Sequence, residues 1–142
     1  MKNFTGILIS AVLLLAFNEN IQACSCAYME DELHFNNAAY VFTAKIKKPL
    51  DIKQGTYYIV RSEFDPITVF KGDISNLSHI YSSSLKGNLR TSCDWVLKTN
   101  ETYLFFISDQ HKPHPHYCSG SRSVKPNDDI LKKLQQLSPD PE

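Results

Sequence analysis

The chain has 142 residues and carries 15 Lys plus Arg against 15 Asp plus Glu, a formal net charge of zero. That balance gives no electrostatic reason to expect nucleic acid or an anionic membrane as a partner, and the length suits one principal domain. All four cysteines, at positions 24, 26, 93 and 118, lie beyond the first 23 residues.

Taken in chain order, the first feature is a basic Lys2, an apolar run over residues 7–17 and the small-residue end Ile21-Gln22-Ala23. This layout predicts a secretory signal peptide over residues 1–23 with the cut before Cys24. The run is too short for a membrane span, which needs about 20 apolar residues. A cysteine directly after a cut is also the acceptor in bacterial lipoproteins, but Gln22 fits that processing box poorly. Lipidation of Cys24 would also leave Cys26, Cys93 and Cys118 as an odd set in an oxidising compartment. The expectation is a secreted or periplasmic protein, off the membrane unless Cys24 is lipidated.

After the cut, residues 29–35 read as a weak helix with Glu30, Asp31 and Glu32 early, where a helix start favours acids. Residues 40–46, Tyr-Val-Phe-Thr-Ala-Lys-Ile, read as a strand, and residues 47–55, with Pro49 and Gly55, as a loop. Further strands are expected at residues 56–60, at 67–70 before the turn Lys71-Gly72-Asp73, and at 77–82. The most apolar run after residue 23, residues 103–108, reads as a central strand. Residues 127–137 predict a helix capped by Asn127, with Ile130, Leu134 and Leu137 on one packing face. Residues 138–142 read as a disordered tail. The fold class is therefore mainly β: a five-stranded, closed or partly closed barrel with flanking helices.

Four cysteines allow three pairings. Cys24 and Cys26 are too close to pair comfortably with each other, which leaves two long-range alternatives. Each bond would close a loop of many tens of residues, worth on the order of 4 kcal/mol in the chain-entropy model.

Cys24-Ser25-Cys26 directly after a signal peptide resembles the start of the tissue inhibitors of metalloproteinases. Ala39-Tyr40-Val41-Phe42-Thr43-Ala44-Lys45 is similar to that family's first strand, and Phe70-Lys71-Gly72 to one of its turns. Ile80-Tyr81 with the serine-rich stretch leading to Cys93, and Tyr103-Leu104, follow in the same order. The resemblance spans residues 24–137 and implies a netrin-like OB fold, here in a single-domain form. It implies the pairs Cys24–Cys93 and Cys26–Cys118. It also implies a function: the α-amine and carbonyl of Cys24 chelate the catalytic zinc of a target protease and displace its water. Ser25 would enter the pocket beside that zinc, and Cys26, Ala27 and Tyr28 would follow the substrate groove. Arg90, Thr91 and Ser92 would form a second edge of the contact ridge. The sequence departs from the family in lacking its third disulfide and in having Asp94 where a small residue is usual. The alternative within the same resemblance is a non-inhibitory netrin-like module that binds a protein partner.

Other candidates carry less. His111, His114 and His116 alternate with Pro113 and Pro115, which extend the chain rather than gather imidazoles, so a solvated hairpin loop is expected over a metal site. Trp95, Tyr57, Tyr58, Phe105 and Phe106 could stack on bases or sugars, but strand aromatics are usually core. Asn76 and Asn100 each open a glycosylation sequon. No catalytic triad order, phosphate loop or zinc-protease helix stands out, so no enzyme and no cofactor of its own are expected. The implied partner is a zinc metalloproteinase, met by a monomer whose only metal contact is with the target's zinc.

Overall fold

A computed structural model describes residues 24–86, 93–109, 111 and 113–138. In chain order the elements are α1 (Asp31–Asn37), β1 (Tyr40–Gln54), β2 (Tyr57–Lys71), β3 (Ile80–Ser83), β4 (Thr102–Ile107), β5 (Arg122–Ser123) and α2 (Asp129–Leu137). The strands form one five-stranded antiparallel sheet in the order β3-β2-β1-β4-β5.

The first two strands are far longer than their apolar stretches suggest. The expected loop at residues 47–55 is instead the outer half of β1, and the two short strands expected at 56–60 and 67–70 are one continuous β2. The strands meet in a hairpin whose last pair is Gln54 opposite Tyr57. Gly55 turns the chain with φ 59°, a conformation that suits glycine. Two prolines disguised this ribbon. Pro49 follows a register irregularity after Ile46, and Pro66 lies opposite Ala44 at a second one. β4 pairs with β1 only from Tyr40 to Lys45, so at Pro49 no strand on that side needs an N–H. Such bulges bend and twist the ribbon.

Alternation along β1 and β4 divides the core between the two faces of the sheet. One face collects Phe35, Val41, Phe70, Leu104, Phe106, Val124 and Leu134, with Ile130, Leu131 and Leu137 packed against them. Both helices contribute to this side. The other face collects Phe42, Ala44, Ile46, Ile80, Leu97, Tyr103, Phe105 and Ile107, flanked by Phe64, Leu77 and Trp95. All of Tyr103 to Ile107 is buried, as a strand covered on both faces requires.

The sheet does not close on itself; β3 and β5 are its edges. β5, a two-residue strand with no sequence signal, pairs only with β4. Irregular chain covers the outer edge of β3: Tyr81 N–H donates to the Pro113 carbonyl at 3.0 Å and Ser83 N–H to that of Trp95 at 3.0 Å. Covering an edge in this way removes a template for unwanted strand pairing.

The helices sit slightly later than the sequence pattern suggested. In α2 the cap position is Asp128, not Asn127, and the Asp128 carboxylate accepts the Lys125 N–H at 2.8 Å instead of capping the helix. Leu134 is fully buried, as its face predicts. Ser138 donates its hydroxyl to the Phe70 carbonyl at 2.7 Å, so the expected tail is tied at its first residue. The remainder of that tail lies outside the described residues, as does the predicted signal peptide.

The Phe70-Lys71-Gly72 turn has a physical rationale. Phe70 is core, and Lys71 Nζ donates to the Phe35 and Asn36 carbonyls at 2.9 and 3.0 Å, satisfying the end of α1. Gly72 takes φ 79° against the Ala39 carbonyl, where a side chain has no room.

Candidate functional site

Residues 24–30 adopt neither helix nor strand and would have little reason to hold one path on their own. Two disulfides fix them. Cys24 is bonded to Cys93, with Cα atoms 5.3 Å apart, and Cys26 to Cys118, with Cα atoms 5.4 Å apart. This is the pairing implied by the resemblance, and both separations are normal for the bond.

Each anchor is itself built into the sheet. Beside Cys93, the Asp94 carboxylate accepts the Ser83 hydroxyl at 3.2 Å. Trp95 then sets its ring edge-on against Tyr103 at 5.6 Å and Phe105 at 5.9 Å. Cys118 lies in a tight turn in which its N–H donates to His116 Nδ1 at 3.2 Å and Ser119 N–H to the His116 carbonyl at 2.9 Å. Ser121 Oγ accepts the Phe106 N–H at 2.8 Å and stitches this turn to β4. Gly120, at φ 82°, lets the His34 ring lie against the turn; a Cβ there would sit 2.6 Å from it. Burial holds the His34 pKa below the ordinary histidine value, against the pull of Asp31. Arg122 completes the frame by donating to Asp31 at 2.8 Å, joining β5 to α1.

The clamped segment faces outward. Cys24 is half-buried, whereas Ser25, Cys26 and Ala27 are exposed and Tyr28 is 92% exposed. The segment is thus fixed at its sulfurs and open along its length. Arg90, Thr91 and Ser92, the expected second edge, lie outside the described residues. Cys93 ends that stretch next to the clamp and is exposed.

The three histidines of the 111–116 segment do not converge. Among the described residues no group of three His, Cys, Asp or Glu side chains is placed to hold a metal ion. The segment is nevertheless more than a solvated loop, because Pro113 and Pro115 are buried against the β3 edge. His114 faces a cleft whose walls remove water and push its pKa below the usual histidine value.

Among the aromatics, Phe105 and Phe106 are core and Trp95 packs on it, as expected. Tyr57 and Tyr58 are not core: Tyr57 is 55% exposed at the hairpin and both line that cleft. Alternation of apolar residues did not reveal this, because the ribbon runs past the packed part of the sheet. Asn76 and Asn100 are both exposed.

No known protein-family model matches the sequence, and no curated protein matches it either. Among the described residues no helix is long and apolar enough to cross a membrane.

Proposed function

We propose that the chain is an extracytoplasmic inhibitor of zinc metalloproteinases, built on a netrin-like OB fold. A five-stranded antiparallel sheet with a long, bulged first strand, in the order β3-β2-β1-β4-β5, supports the OB reading. Two disulfides suit an oxidising compartment. The observation that carries the functional reading is the clamp itself: two bonds hold residues 24 and 26, while residues 25–28 stand exposed.

The chemistry follows from what such a terminus offers once the cut is made before Cys24. A catalytic zinc keeps an open position for water beside three protein ligands. The α-amine, with an ordinary pKa of about 7.7–8.0, is neutral in an appreciable fraction of molecules near pH 7. Together with the Cys24 carbonyl it offers a nitrogen and an oxygen to the target's zinc, and occupying the water position removes the hydrolytic nucleophile. The Cys24 sulfur is consumed in its disulfide. Ser25 would occupy the pocket next to the zinc; Cys26, Ala27 and Tyr28 would run along the groove, with Arg90, Thr91 and Ser92 as a second edge. Pinning the segment beforehand lowers the entropy lost on binding.

The test compares the oxidised protein beginning at Cys24 with a form carrying one alanine ahead of it, against a panel of zinc metalloproteinases. Inhibition by the first and none by the second is the expected result, because the added residue moves the amine out of reach. Equal inhibition by both forms rules out chelation, and inhibition by neither removes the inhibitor reading. A protein-binding module is the second reading, supported by Ile67 and Val69, which are 59% and 44% exposed on β2.

A further inference from the structure

The cleft beside the hairpin differs in chemistry from the amino-terminal segment. It encloses about 460 Å³ between the start of β2, the end of β3 and the 113–115 segment. That volume falls within the roughly 300–1,000 Å³ range of small-molecule sites. Its walls include Tyr57, Tyr58, Ser82, Ser84, Lys86 and His114.

Ser82 is the decisive residue. It is 1% exposed, it lines the cleft, and its hydroxyl has no hydrogen-bond partner among the described residues. A buried hydroxyl left unpaired is costly, so its position calls for a reason. Two ionic side chains also line the cleft, Lys86 and Asp94, and the Asp94 carboxylate accepts the Ser83 hydroxyl at 3.2 Å. Lys86 Nζ meets the Asp51 carboxylate at 2.9 Å, and that carboxylate also accepts the Ser84 hydroxyl. The Ser84 hydroxyl and Lys86 hold the Asp51 pKa below the usual carboxylate value. Desolvation favours a neutral His114. Among the described residues that line the cleft, Lys86 is the one Lys or Arg, and it is paired with Asp51. No metal-holding cluster occurs among the described residues.

What remains is a cleft lined by hydroxyls and one carboxylate, with two tyrosine rings at its side. We propose that it binds a neutral saccharide, with Ser82 Oγ hydrogen-bonded to a ring hydroxyl and Tyr58 packed against the apolar face of the sugar. Serine hydroxyls both donate and accept, which suits hydroxyl partners. Tyrosine combines an apolar ring with a polar tip, which suits an amphipathic ligand. This site is independent of zinc chelation and stands whether or not the chain inhibits a protease.

The experiment is a titration of the oxidised, isotope-labelled protein, followed by amide resonances. The probes are glucose, galactose, mannose and N-acetylglucosamine, together with maltose, lactose and chitobiose. Saturable shifts at Tyr58, Ser82 and Lys86 with at least one sugar are expected. Ser82→Ala should weaken that sugar about threefold to tenfold, the loss of one neutral hydrogen bond. The same variant should melt at the same or a higher temperature, because it removes an unpaired buried group. A disaccharide that binds more tightly than its single ring marks a glycan chain as the ligand; equal binding marks a free sugar. The proposal is overturned if no sugar gives saturable shifts at millimolar concentration. It is equally overturned if Ser82→Ala leaves sugar binding unchanged, or if acetate or phosphate shifts these amides where the sugars do not.

Discussion

Tyr28 shows how little a single residue needs to contribute to the fold in order to matter at its surface. It is 92% exposed and follows a clamped backbone, so its ring is available at almost no cost in order. Tyrosine is among the residues that most often dominate interfaces. Tyr28→Ala should leave the melting temperature unchanged and weaken inhibition of a susceptible metalloproteinase about tenfold or more; inhibition assays and thermal melts on the same samples check both halves. His34 makes the opposite case, a residue that matters inside. Its pKa in the folded state lies below the ordinary 6.5, chiefly because burial disfavours the charged ring. Between that lowered value and 6.5 the unfolded chain binds more protons than the native one, so stability falls as pH falls through this interval. His114 acts in the same direction. Asp51 and Asp73, whose pKa values are lowered by hydrogen bonds, add a second loss below the ordinary carboxylate range. Denaturant titrations between pH 7.5 and pH 3 should show the two declines, with His34→Gln diminishing the first.

At the level of elements, α2 is the simplest to read and to test. Its leucine at position 134 is fully buried against Val41, Phe106 and their neighbours, and Leu134→Ala should cost about 2–5 kcal/mol in a urea titration. The same helix was legible beforehand because Ile130, Leu134 and Leu137 recur at helical spacing. β4 was legible because five consecutive apolar residues admit few other readings. The β1–β2 ribbon was not. Pro49, Pro66 and the charged residues around them mimic loop composition, and the prolines are tolerated only because bulges and a missing neighbour excuse their N–H groups. β5 has no apolar pattern at all; its pairing follows from Cys118 and Ser121 holding the turn beside β4. The clamp at the amino terminus was legible through resemblance, not through periodicity, since cysteine spacing alone left two pairings open. The cleft at Ser82 gave almost no advance signal: a run of three serines says little until β3 sets the first of them, Ser82, opposite Val60.

For the whole molecule, the disulfides connect the site to the stability of the sheet. They bridge sequence separations of 69 and 92 residues. In the chain-entropy model each contributes on the order of 4 kcal/mol by restricting the unfolded chain. Replacing Cys26 and Cys118 together by serine should lower the unfolding free energy from a denaturant titration by about 4 kcal/mol and abolish inhibition even under conditions where the variant remains folded. Circular dichroism separates the two effects from unfolding. Loss of stability with full inhibition would mean that the clamp serves the sheet alone. The two faces of the core and the two anchors are joined through β4, which carries Phe105 toward Trp95 on one side and Phe106 toward the Cys118 turn on the other.

The bonds at residues 24 and 26 also determine how the molecule tolerates damage. A single backbone cut between residues 27 and 92 yields two pieces that remain joined by both sulfur links, and a cut between residues 94 and 117 leaves them joined by one. The first residues therefore stay tethered to the sheet after either nick, and fragments separate only on reduction. An inhibitor of the kind proposed would keep its contact segment attached after a first cut.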